Sequence, residues 1–172
     1  MSFEAAWASA IGFVTINIAY AELVVFLLGL AEGIPGLSLL VPSSALFLAI
    51  GGVHSAAGGH FWHLWLAAAV GAVVGDCITY TLGRWLRDDV GRLRYFAVHP
   101  NALAAGHAVF ERWGPLAVLA GKFTGFARPF IPVVAGIVTM PAPLFFAASA
   151  LSSLAWAGAF LAPGYGLKLL ID

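Results

Sequence analysis

Apolar residues run almost unbroken over 11–31, 62–83 and 144–162, and each run has the length of a bilayer-crossing helix, roughly 20 residues. These predict three full spans. Two further apolar tracts are punctuated as no continuous helix tolerates. The stretch 32–53 carries Gly33, Pro35, Gly36 and Pro42, and 114–137 carries Gly114, Pro115, Gly121, Gly125, Pro129, Pro132 and Gly136. Each divides into two half-helices of about 8 to 11 residues, roughly 12 to 16 Å long, which enter a bilayer halfway and return on the same side. They predict two re-entrant hairpins. Polar residues gather between them, where 84–112 holds Arg84, Arg87, Arg92, Arg94 and Arg112 against Asp88, Asp89 and Glu111. Within that segment Pro100 to Trp113 predicts a short amphipathic helix, with His99 or Asn101 near its start and Leu103, Phe110 and Trp113 turned to the headgroup boundary.

No Lys or Arg precedes Arg84, and five of the eight basic residues lie in 84–112, which places that loop in the cytoplasm. The order is then span, hairpin, span, basic loop, hairpin, span. The first hairpin opens to the outer face and the second to the inner face, with the N-terminus inside and the C-terminus outside. The expected fold is all-α integral membrane, an inverted repeat of transmembrane helices with two facing re-entrant helical hairpins. It forms a single transmembrane domain over 1–172, of which 1–31 is the N-terminal segment and first span and 144–172 the C-terminal span. Opposed discontinuous helices meeting near the midplane are a recurrent transporter design. Ala67, Gly71 and Gly75 repeat every four residues, which permits close helix contact, either in a homo-oligomer or internally.

Composition strengthens the membrane reading: 62% of the 172 residues are hydrophobic, 9% are charged, and the mean hydropathy is +0.96. Eight basic and eight acidic residues cancel, so no global field recruits nucleic acid. The single cysteine, Cys77, excludes an internal disulfide. Met1-Ser-Phe-Glu-Ala-Ala-Trp has neither the basic start nor the small-residue cleavage site of a signal peptide, so the N-terminus is expected to remain in the fold.

Against this background Lys122 and Arg128 stand out, two cations on broken backbone inside an apolar tract. Each costs roughly 2.5 to 3.5 kcal/mol at the bilayer centre, and irregular backbone is tolerated there only where protein or a water-filled cavity covers it. A turn at Gly125 brings both heads together. Arg offers a planar fork to a phosphate and Lys a point charge, so the pair suits an anionic lipid headgroup. Pinning the hairpin to internal acids or carbonyls is the structural alternative. Asp76, followed one turn later by Tyr80 and a further turn later by Arg84, either pairs with a neighbouring helix while Arg84 snorkels to the interface or is a counter-charge to Lys122 or Arg128, and Glu32 at the mouth of the first hairpin is another candidate. Glu22, placed near the middle of the first span, is a third acid able to accept a proton or to hydrogen-bond another helix. His54, His60 and His63 cluster in the outer loop beside Trp62 and Trp65, where interfacial placement outweighs metal binding for want of a further ligand at diagnostic spacing. No Gly-x-Ser-x-Gly, His-Glu-x-x-His or P-loop pattern occurs, so neither an enzyme nor a cofactor is expected.

These residues resemble the DedA family of membrane proteins, also described as SNARE-associated or VTT-domain proteins. The resemblance covers about 20–160 and is carried by Phe110, Gly114, Lys122, Arg128, Pro132, Ala135, Gly136, Met140 and Phe145. Gly75, Asp76, Tyr80, Gly83 and Arg84 support it, as does Glu32 followed by Pro35 and Pro42. It implies two facing re-entrant hairpins, a bacterial inner (cytoplasmic) membrane, and movement of phospholipids or undecaprenyl phosphate between leaflets, with proton dependence in some members. Glu32 and Arg128 match positions that the family uses for function. Lys122 stands where an arginine is usual, and Ser44 where many members have an acid; serine carries no charge, though it can hydrogen-bond a headgroup.

The resulting expectation is a flippase or scramblase in which Lys122 and Arg128, with Ser44, hold the headgroup, while Glu32, Asp76 and Glu22 serve as counter-charges or proton carriers. Tyr80, Arg84, Gly125, Pro129, Pro132 and Gly136 support the site. The alternatives are an ion- or proton-coupled transporter of a small solute, a lipid-phosphate-processing enzyme, and a scaffold whose basic loop sits on anionic lipid.

Overall fold

The computed structural model describes residues 20–40, 43–87, 100–125 and 128–166. Residues 1–19, Pro42, the loop centre with Asp88, Asp89, Arg92 and Arg94, and His99 lie outside the described residues, as do the side chains of Asn101 and Leu103. The described residues form helices and turns, with no strand among them: α1 (Ala21–Glu32), α2 (Leu37–Leu40), α3 (Ser43–Ala56), α4 (Phe61–Leu86), α5 (Pro100–Trp113), α6 (Pro115–Gly121), α7 (Phe130–Ile137) and α8 (Ala142–Tyr165).

Two helices, α4 with 26 residues and α8 with 24, are long and apolar enough to cross a bilayer. They contain the predicted spans 62–83 and 144–162. Helix α4 has no proline to interrupt it. In α8, Pro143 sits in the first turn, where its missing N–H is not required, and Gly166 ends the helix with a φ of 55°. The predicted amphipathic helix coincides with α5.

Contacts fix how these helices run. Glu22 stands by His63, Phe26 against Gly71 and Gly33 against Gly75, so α1 lies parallel to α4 and reaches only halfway along it. Parallel packing is close because Gly71 and Gly75 have no side chains: a Cβ on either would strike the carbonyls of Phe26 and Leu30. The small-residue repeat is thus used internally. Helix α3 runs parallel to α8, with Phe47 edge-on to Trp156 at 4.9 Å and His54 hydrogen-bonded to Tyr165. Helix α8 is antiparallel to α4, since Phe61 meets Tyr165, Trp65 Nε1 donates to Leu154 O at 2.8 Å, and Tyr80 stacks on Phe145 at 4.3 Å. It follows that α1 and α3 form a helical hairpin open at the His63 end of α4.

This arrangement differs from the expected division into a span 11–31 followed by a hairpin 32–53. The descending arm of the hairpin is α1 itself. Hydropathy records that a stretch is apolar but not whether it crosses or turns back, and the turn comes at 33–36, four residues that lie outside the helices and include Gly36 at a φ of 93°. The second hairpin comprises α6 and α7, with residues 122–125 and 128–129 at its tip. Arg128 lies at the level of Asp76 beside Glu32, and Gly136 packs against Gly83, so α7 runs parallel to α4 and the hairpin opens at its Arg84 end.

Two apolar cores result. Val25, Phe47, Leu64, Trp156 and Leu161 join α1, α3, α4 and α8, whereas Tyr80, Phe110, Val118, Ala135, Met140 and Phe145 join α4 and α8 to the second hairpin. Glu32, Asp76, Lys122, Arg128, Ser149, Ser152 and Ser153 are buried, while Leu23, Leu27, Leu66, Val70, Ile78, Leu82 and Leu151 are exposed. Charge inside and hydrocarbon outside reverses the usual order of a protein in water and suits a bilayer.

Candidate functional site between the hairpin tips

On α4 the apolar cores are separated by Asp76, and on α8 by Ser149, Ser152 and Ser153, so a polar layer lies between them. Both hairpin tips reach it. Lys122 immediately follows α6 and donates from Nζ to Asp76 Oδ2, which also accepts from Ser149 Oγ at 2.7 Å. Arg128 lies in the turn before α7 and forms an ion pair through Nη1 with Glu32 Oε2, at the end of α1. The sequence allowed either acid with either cation; the fold pairs Asp76 with Lys122 and Glu32 with Arg128.

The tips are held in place by backbone features. Thr79 Oγ1 donates to Gly33 O at 2.7 Å and ties the first tip to α4, where a Cβ on Gly33 would lie 2.6 Å from the Asp76 nitrogen. Gly125 turns the second tip with a φ of 56°, a value that favours glycine. Pro129 precedes α7 and Pro132 falls in its first turn, positions that require no N–H donor. Tyr80 OH donates to Met140 O at 2.6 Å and accepts from Arg84 Nη1 at 3.0 Å, fixing the turn that enters α8. Tyr80, Arg84 and Gly136 therefore position the second hairpin from outside the polar layer.

Arg128 is the most informative group in this layer. Its Cζ lies 3.8 Å from the centroid of the Trp156 ring, a cation–π contact, and the side chain is 8% exposed. Only Nη1 is engaged by Glu32. Nε and Nη2 are buried and have no hydrogen-bond partner among the described residues. Unmet buried donors of a charged group cost at least about 1 to 3 kcal/mol, so a guanidinium edge held ready in this way attracts an anion with several oxygens.

Other predicted site residues lie elsewhere. Glu22, expected in the middle of a span, is half-exposed with its Oε1 3.5 Å from His63 Nδ1, because α1 starts level with the start of α4. Ser44 is exposed in the first turn of α3 and makes none of the site contacts. Among the histidines, His54 is buried against Tyr165, and the His60 and His63 rings lie 5.8 Å apart. Sequence reasoning missed Thr79, Ser149 and Trp156. A signal was present: Ser149 and Trp156 are seven residues apart on one face of a span that hydroxyls otherwise interrupt needlessly.

Residues 34–166 match the model of the VTT domain. Over 160 residues the chain is 26% identical to inner membrane protein YabI of Escherichia coli (strain K12), covering 93% of this chain and 63% of that protein. An uncharacterized membrane protein of Buchnera aphidicola subsp. Acyrthosiphon pisum is 24% identical over 152 residues, covering 88% of this chain and 59% of that protein. An uncharacterized membrane protein of Mycobacterium tuberculosis (strain ATCC 25618 / H37Rv) is 40% identical over 96 residues, covering 54% of this chain and 44% of that protein. The chain thus spans less than two thirds of the length of these relatives. No solved structure matches it.

Proposed function

Since the chain belongs to the VTT-domain (DedA, SNARE-associated) family of membrane proteins, we propose that it moves a phosphate-bearing lipid between the leaflets of a bacterial inner membrane. The lipid is a phospholipid or a carrier such as undecaprenyl phosphate, as the family resemblance implies. The observation that carries this reading is Arg128, buried where the hairpin tips meet, with one nitrogen on Glu32 and two donors unmet among the described residues.

On this reading the hairpins are re-entrant and enter from opposite faces, forming an inverted repeat whose tips meet near the midplane. A headgroup reaching the layer binds the free edge of Arg128, then competes with Glu32 and Asp76 for the two cations. Replacing a carboxylate by a phosphate keeps each cation compensated, so the exchange avoids the cost of an unpaired buried charge. Opening one hairpin at a time exposes the layer to one leaflet and then to the other. The chain acts here as a transporter and not as an enzyme.

The test is reconstitution in liposomes carrying a fluorescent phospholipid, with bleaching of the outer leaflet as the readout. Arg128→Ala should abolish the protein-dependent loss of inner-leaflet fluorescence while eluting as folded protein. Unchanged translocation by that variant would overturn the proposal. A proton-coupled solute transporter is the competing reading, favoured by two buried carboxylates that are each paired with a basic group; transport that follows a pH gradient and ignores added lipid would select it.

A further inference from the structure

Three serines of α8 face the polar layer, and two of their hydroxyls are already committed. Ser149 donates to Asp76, and Ser152 bonds to the Ser149 carbonyl at 3.1 Å, the ordinary use of a hydroxyl within an apolar helix. Ser153 differs. It is 0% exposed, and its Oγ has no hydrogen-bond partner among the described residues. A hydroxyl that reaches neither water nor a carbonyl destabilises a fold, and alanine fills the same place in a helix without that cost.

The position of Ser153 suggests what it serves. Ser149, Ser153 and Trp156 fall on one helical face at spacings of four and three residues. Helical side chains lean towards the N-terminus, so the Trp156 ring covers the turn that carries Ser152 and Ser153. The guanidinium of Arg128 rests on that ring. The uncommitted hydroxyl and the two uncommitted guanidinium donors therefore belong to one buried corner. Its floor is aromatic and its donors are N–H, N–H and O–H, which suits a tetrahedral oxyanion.

We infer that Ser153 is a ligand of the transported headgroup, donating its hydroxyl to a phosphate oxygen that Arg128 Nε and Nη2 hold from the other side. This rests on the transport reading above and adds a residue that orients the headgroup. Arg128 supplies attraction to any anion in reach. Ser153 supplies direction, because a hydroxyl hydrogen bond is made only when an oxygen lies at one point.

The experiment uses purified full chain in phosphate-free detergent, with ligand-dependent shifts in melting temperature read for two probes, dihexanoyl phosphatidic acid and inorganic phosphate. Ser153→Ala should weaken binding about tenfold, the loss of one good hydrogen bond to an anion, while Ser152→Ala binds as the parent does. Without ligand, Ser153→Ala should melt no lower than the parent. Equal affinity of parent and Ser153→Ala overturns the inference, as does a lower ligand-free melting temperature with an unchanged ligand shift, the mark of a structural hydroxyl. If the parent binds neither probe yet Arg128-dependent translocation persists, the subsite falls and the transport reading stands. Binding of inorganic phosphate alone, with no lipid translocation, keeps the oxyanion corner and removes the lipid from it.

Discussion

Glu32, the last residue of α1, and Arg128, in the turn before α7, form an ion pair in which the side chains are 7% and 8% exposed. One belongs to each hairpin. The joint between the hairpin tips is therefore electrostatic where most helix contacts in the molecule are apolar. Removing one partner strands a buried charge, whereas removing both does not.

Glu32→Ala should accordingly lower stability by about 3 to 5 kcal/mol, and Glu32→Ala with Arg128→Ala by clearly less than the sum of the single changes. Reversible unfolding in mixed micelles reads the cycle. Additive single effects would mean that the carboxylate and guanidinium do not depend on each other.

Arg128→Lys keeps the charge and loses the fork. One donor can follow Glu32, but the planar edge on Trp156 and the two unmet donors vanish. Translocation in liposomes should fall by at least tenfold, with the folded yield close to that of the parent. A lysine variant as active as the parent would show that charge alone suffices.

Thr79→Val is nearly isosteric and deletes the hydroxyl that bonds Gly33 O. It leaves a buried carbonyl unmet in the first tip, and the expected loss is about 1 kcal/mol. Hydrogen exchange should quicken at 33–36 more than in α4 or α8. Uniform quickening would place the role of Thr79 elsewhere.

Gly33→Ala tests the closeness of the same tip. The added Cβ would sit 2.6 Å from the Asp76 nitrogen and must push α1 from α4, at about 1 to 3 kcal/mol. Gly36→Ala meets no neighbour, but its φ of 93° makes any side chain strained, so it should be destabilising for a different reason. A crosslink between cysteines placed at Phe26 and Val70 should form less readily in Gly33→Ala and normally in Gly36→Ala.

The residues that were legible in the sequence were those whose cost is local. Lys122 and Arg128 declared themselves because cations on proline- and glycine-broken backbone are expensive in hydrocarbon whatever surrounds them. The α4, α5 and α8 segments were legible because length and periodicity are properties of a single segment. Pairing was not, since Asp76 and Glu32 are equally plausible counter-charges until parallel packing of α1 on α4 sets their depths. Glu22 was misplaced for the same reason: its depth depends on direction, which an apolar run does not encode. Trp156 was hidden because one aromatic in a span looks like any other until a guanidinium lies on it.

Each buried pair, Lys122 with Asp76 and Arg128 with Glu32, joins one cation to one carboxylate and has zero net charge. The membrane voltage, which does work of about 2.3 kcal/mol per elementary charge per 100 mV, consequently has no net charge to act on in these two pairs. A bound anion changes that. On the transport reading, return of the empty carrier is indifferent to the membrane potential, and the loaded step is electrogenic in proportion to the charge of the headgroup.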